Sequence, residues 1–258
     1  MATRCAALLA AAALALVIQA RRRRRAAMLD TRGFLVVQDA ASAEQVHRMH
    51  AACAELSAQA EAGGYLIWTP AEALPMACRE WAETDAAAIL QRALPVGTPA
   101  VRLLGGAALW KCVGVHDATP FHQDFAYAEE RAPGSTASRK TRHAAVWLAL
   151  TPAGPHTGGM RFAPSLGFEL WPHHTLPRAG APSGFETHMV GDAVELAASA
   201  AEDVVLEPGC AVVIGDQVVH GSHSGKGAHG DRLAFSPLFE VECAERPLPA
   251  GRRSGWLG

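Results

Sequence analysis

The chain is broken into short apolar runs separated by turn-forming residues, and this feature most restricts its fold. The runs are Phe34–Val37, Val101–Leu104, Ala107–Val115, Ala144–Leu150, Met160–Ala163, Val204–Leu206, Ala211–Ile214 and Leu233–Val241. Turn-rich pieces such as "TPAGPHTGG" and "EPG" lie between them. Runs of this length, bounded by Gly and Pro clusters, read as strands. Many short strands with recurring turn signals point to a sandwich or barrel. The 24 Gly and 16 Pro residues agree, and a 50% hydrophobic fraction over 258 residues supplies a sizeable core.

Helical signals are fewer. Ser42, with Gln45 three residues on, makes a capping box. Val46, Met49, Cys53 and Leu56 follow at helical spacing. A second helix is expected over Thr84–Leu94, stopped by Pro95. Ala128–Arg142 and Pro172–Asp203 read as long polar loops, of the kind that form lids or substrate walls.

Residues 1–29 are set apart as a leader, and residues 30–258 are expected to form a single domain. The leader has an apolar run, Cys5–Ile18, followed by Arg21–Arg25, and has no acid before Asp30. The run is shorter than the roughly 20 residues of a membrane span and has the length of a signal-peptide core. Five arginines directly after it oppose translocation. Targeting, a membrane tether, and an Ala-rich or disordered leader all fit. Without a targeting role the chain is expected to be cytoplasmic.

A formal charge of −2 gives no basic excess for nucleic acid. The expectation is a monomer acting on a small-molecule substrate, with no nucleic-acid partner. The six cysteines include no C-x-x-C pair, so they read as mostly buried, reduced thiols.

The chemistry is carried by "TPFHQDFAY", residues 119–127. On a strand, His122 and Asp124 would share one face and Gln123 would take the other. Alone, this pair is a hydrogen-bonded structural pair, a general base with its orienting acid, or two metal ligands. "VVIGDQVVHGSHSG" then supplies His220, 98 residues after His122, where a strand-like run gives way to a Gly/Ser-rich turn. "DRLAFSPLFEVE" adds Arg232, and Ser236 four residues on shares its face if the segment is a strand. Two imidazoles and a carboxylate make the facial triad of non-haem Fe(II) oxygenases, which leaves three positions open. An isolated Arg among apolar neighbours needs an anion, and its fork matches a carboxylate. A dicarboxylic co-substrate such as 2-oxoglutarate meets both needs and leaves one metal position for dioxygen. The readings that compete are a non-catalytic jelly-roll binding protein that retains the triad, and a cupin-type metalloenzyme that does not use 2-oxoglutarate.

From Arg32 to Val241 the sequence resembles the phytanoyl-CoA dioxygenase family, which includes ectoine hydroxylase-like enzymes. The resemblance is carried by "RGFLVVQDAASAEQVHRMHAACAEL", by "HQD" at 122–124, by "AVWLALTPAG" with "GGMRFAPSLG", and by "EPGCAVVIGDQVVHGSHSG" followed by Arg232. It implies a mainly β chain with a double-stranded β-helix (jelly roll) core and flanking helices. It also implies oxidative decarboxylation of 2-oxoglutarate to succinate and CO2, coupled to hydroxylation of a small-molecule or acyl substrate. Carried over, His122, Asp124 and His220 are the iron ligands and Arg232 is the 2-oxoglutarate clamp. Ser236 and Lys111 are further co-substrate contacts, and Trp147 is core packing. Some relatives are halogenases that give up the carboxylate ligand. Asp124 is retained here, which implies hydroxylation.

Overall fold

The computed structural model describes residues 20, 28–29, 31–59, 66–94, 101–126, 141–175, 187–226 and 229–242. A six-stranded antiparallel sheet runs in the order β1 (Phe34–Val37), β10 (Ala211–Gly215), β5 (Thr141–Ala149), β12 (Arg232–Glu242), β3 (Val101–Lys111), β2 (Leu66–Pro70). A four-stranded sheet faces it, in the order β4 (Thr119–His122), β11 (His220–Ser222), β6 (Met160–Phe162), β9 (Glu202–Asp203). A hairpin of β7 (His173–Thr175) and β8 (Thr187–Met189) lies beyond β4. This is the double-stranded β-helix that the resemblance implies, one form of the sandwich or barrel expected from the strand pattern.

Alternation along the central strands builds two cores at once. In β5, Val146 and Leu148 pack on one face, while Ala145, Trp147 and Ala149 pack on the other. In β10, Ala211 and Val213 oppose Val212 and Ile214 in the same way. The outer face is covered by helices. The first is α1 (Ala43–Gln59), started by the reciprocal cap between Ser42 and Gln45: Gln45 N–H donates to Ser42 Oγ at 3.2 Å, and Ser42 N–H to Gln45 Oε1 at 2.8 Å. The helices α2 (Met76–Trp81) and α3 (Ala87–Ala93) are joined by a π-helical turn, Ala82–Ala86. Trp81 fills the joint, edge-on to Phe235 with centroids 6.2 Å apart, and its indole N–H donates to the Ala40 carbonyl at 3.1 Å. The inner face looks into the space between the sheets, where Phe34 stacks on Phe162 at 4.2 Å.

Several boundaries differ from the sequence reading. The expected helix over Thr84–Leu94 starts earlier, behind Pro75, because Cys78 and Trp81 bury against the same sheet. Val101–Leu104 and Ala107–Val115 are one strand ending at Lys111. The two glycines between them mark close approach and do not break the strand. A Cβ on Gly105 would lie 2.5 Å from the Thr69 carbonyl oxygen, and one on Gly106 would lie 2.7 Å from the Phe235 ring. The stretch expected as the loop Pro172–Asp203 contains the β7–β8 hairpin, α4 (Asp192–Ala200) and β9. Of the other expected loop, 128–140 lies outside the described residues, and 141–142 belong to β5. Nearly all of the expected leader also lies outside the described residues. Among the described residues no helix is long and apolar enough to cross a membrane. Cys53, Cys78 and Cys210 are buried free thiols.

Candidate metal centre

β4 and β11 are neighbours, and His122 faces His220 directly across the ladder. Both imidazoles are buried, with ring centroids 4.3 Å apart. Each is held by the same local device. His122 Nδ1–H donates to the Pro120 carbonyl at 2.8 Å, and His220 Nδ1–H to the Val218 carbonyl at 2.9 Å. Those acceptors fix the tautomer and turn each Nε2 toward Asp124, the usual arrangement around metal-binding histidines. Both Nε2 atoms lie 3.7 Å from Asp124 Oδ1. This is too long for a hydrogen bond. Three donor atoms, all within 4.8 Å of one another, surround a common point. Two adjacent ligands bound at about 2.1 Å would sit about 3 Å apart, so the set needs only a small contraction to hold an ion. Two imidazole nitrogens and one carboxylate oxygen suit Fe(II).

The donors converge by a different route from the strand alternation expected. β4 ends at His122, and Asp124 stands in the turn that follows. That turn is fastened on both sides of Asp124. Phe125 N–H donates to the Asp216 carbonyl at 2.8 Å, and the Gln123 side-chain amide donates to the Gln217 carbonyl at 2.6 Å. Residues 216–217 form the turn between β10 and β11, so the support for Asp124 leads directly to His220. His220 itself opens β11, after this turn, rather than closing the preceding strand.

Burial, with His220 beside it, pushes the His122 imidazole down to about 3 and keeps it neutral, although Asp124 pulls the other way. Phe162 stacks against His220 at 5.8 Å and forms an apolar wall. Burial raises the Asp216 carboxyl above its ordinary value, while Arg142, 3.3 Å away, opposes the shift.

Arg232 is fully buried on the inner face of β12 and lies over the Trp147 ring at 5.2 Å. Glu240 pairs with Arg102 at 2.6 Å, and Asp231 accepts from Trp110 and from Val113 N–H. Ser236 is half-buried, four residues along the same strand. Lys111 is opposite Arg232 in the β3–β12 ladder and is also fully buried. His223, near His220 in sequence, binds Asp203 at 2.6 Å and stays out of the donor set.

Two contributors escaped the sequence reading. Gln123 was seen only as the polar residue between the ligands, yet it is fully buried and braces three segments. His173 read as a loop residue, yet its Nε2 accepts from Gln123 N–H at 3.2 Å while its Nδ1–H donates to the Trp171 carbonyl at 2.7 Å. A polar residue between two ligands is the one sequence signal that pointed to Gln123, and no pattern marked His173.

The phytanoyl-CoA dioxygenase (PhyH) family model matches residues 29–234. The chain belongs to this family of iron- and 2-oxoglutarate-dependent oxygenases. No curated protein matches it in sequence. Among solved structures it is similar to EvdO2 from Micromonospora carbonacea var. aurantiaca, at 20% identity and a TM-score of 0.64 over 88% of this chain and 93% of that one. EctD from S. alaskensis, solved with 2-oxoglutarate and 5-hydroxyectoine, is 18% identical with a TM-score of 0.62, over 85% of this chain and 75% of EctD. The epimerase SnoN, solved with Fe3+, alpha ketoglutarate and nogalamycin RO, is 18% identical with a TM-score of 0.62, over 91% of this chain and 93% of SnoN. At these identities the likeness is one of fold.

Proposed function

We propose that this family member is an Fe(II)/2-oxoglutarate-dependent dioxygenase that hydroxylates a small-molecule or acyl substrate and releases succinate and CO2. The observation that carries the reading is the convergence of His122 Nε2, His220 Nε2 and Asp124 Oδ1 on one point, with both Nδ1–H groups committed to backbone carbonyls. These three residues hold the iron and leave three positions for co-substrate and dioxygen. Iron bound there supplies the redox chemistry that couples co-substrate decarboxylation to oxidation of the substrate.

The protein's own part is positioning and exclusion of water. Arg232 receives the far carboxylate of 2-oxoglutarate through its planar fork, with the Ser236 hydroxyl as a further donor on that face. Trp147 and Phe162 line the space between these groups and keep it dry, which strengthens each charged contact. Asp124 is the third protein ligand, and its retention favours hydroxylation over halogenation.

The test is succinate release by the purified full chain with Fe(II) and 2-oxoglutarate, alone and against a panel of candidate substrates. Slow release without substrate is expected, with stimulation by the true substrate and one oxygen atom added to the product. Metal binding without succinate under every condition would instead favour the non-catalytic binding protein.

A further inference from the structure

We propose that Lys111 is a positioning residue that sets the spacing of His122 and His220 through Ser222 and Thr119. The proposal rests on the reading of those two histidines as metal ligands.

The ladder between β4 and β11 is irregular where the histidines need it most. His220 pairs with His122, but Ser222, two residues on, pairs with Thr119, three residues back. A β-bulge therefore lies between the two pairs, and a bulge interrupts regular backbone hydrogen bonding. Side chains hold the strands together at this point. Ser222 Oγ–H donates to Thr119 Oγ1 at 2.8 Å and accepts from Thr119 N–H at 3.3 Å. Lys111 reaches this pair from the opposite sheet. Its Nζ donates to Ser222 Oγ at 2.6 Å, to the His223 carbonyl at 2.7 Å and to Thr119 Oγ1 at 3.4 Å. These donations tie Lys111 to the protein's own strands, a role beside the co-substrate contact expected from the sequence.

The path of the side chain is built for it. A Cβ on Gly158 would fall 2.4 Å from Lys111 Cδ, and one on Gly225 would fall 2.9 Å from Lys111 Cγ. The stem thus runs between two positions that any larger residue would block. A fully buried lysine is costly to place unless its nitrogen is satisfied, and here the satisfied acceptors flank a histidine. Lys111 is in effect a tie between the six-stranded sheet and the two strands that carry the imidazoles.

The test is Co(II) titration of metal-free protein, followed by calorimetry and by the visible absorption of the bound ion. Lys111→Met keeps the stem in its channel and removes the three donations. Co(II) affinity should fall about tenfold, as for loss of groups that orient metal-bound histidines, and the absorption envelope should change. Ser222→Ala should reproduce both effects, and the double variant should be no worse than either single one, because they break one linkage. Ser222→Ala also carries the test if Lys111→Met does not fold. Wild-type affinity and spectrum in the folded variants overturn the proposal, whatever their melting temperatures. His122→Ala is the control: normal Co(II) binding by that variant would refute the metal-site reading itself.

Discussion

The Gln123 side-chain amide donates to the Gln217 carbonyl at 2.6 Å and so joins the turn carrying Asp124 to the turn that precedes His220. The same amide donates to the Glu169 carbonyl at 2.9 Å, and its oxygen accepts from Trp171 N–H at 3.0 Å. Every polar atom of this fully buried side chain is engaged. Gln123→Ala should destabilise the protein by about 3 kcal/mol, from three hydrogen bonds at roughly 1 kcal/mol each. The amide of Trp171 should exchange faster with solvent. Unchanged melting and unchanged Trp171 protection would show that the brace holds nothing.

Asp124→Ala separates a ligand from a structural pair. The carboxylate is half-buried and stands 3.7 Å from either imidazole, so it adds less than about 1 kcal/mol to the metal-free fold. Loss of a ligand should weaken Co(II) binding by more than about 100-fold, since orienting groups alone account for up to that factor. Succinate release should fall with it. A variant that binds metal normally but melts early would make Asp124 structural.

Arg232→Lys addresses the co-substrate. Lysine cannot reproduce the guanidinium fork. Losing a charge-assisted contact of about 1.5–3 kcal/mol should raise the KM for 2-oxoglutarate roughly ten- to a hundredfold while Co(II) affinity stays unchanged. If the variant lost stability but kept its 2-oxoglutarate dependence, the clamp would be withdrawn.

The pH dependence of the metal-free protein follows from His122. Burial and His220 depress its imidazole from the ordinary 6.5 to about 3. Below pH 6.5 the unfolded chain therefore takes up a proton at this residue that the folded chain refuses. The stability this residue contributes is complete above pH 6.5 and is lost as pH falls toward 3. His122→Gln should show a shallower loss over that window in melts of metal-free protein. Parallel curves for the two proteins would mean that His122 does not titrate as described.

The residue pattern alone announced the parts that depend on near neighbours. The reciprocal cap of Ser42 and Gln45 lies within four residues, and the alternation in β5 and β10 lies within nine, so both were readable before any contact was known. The donor set His122, Asp124 and His220 was readable too, because a metal demands a narrow set of side chains. Tertiary structure decided the rest. Asp124 reaches the donor set through a turn held by residues 216–217, and that contact joins points more than 90 residues apart. Gly105 and Gly106 look like strand breakers until Thr69 and Phe235 are seen pressed against them. Nothing in the sequence around Lys111 announces that the opposite sheet closes over it and supplies Ser222, Thr119 and the His223 carbonyl. Local periodicity reports which face of a segment is apolar. Which segment lies against that face, and which atoms it brings, is settled only when both sheets close on one core.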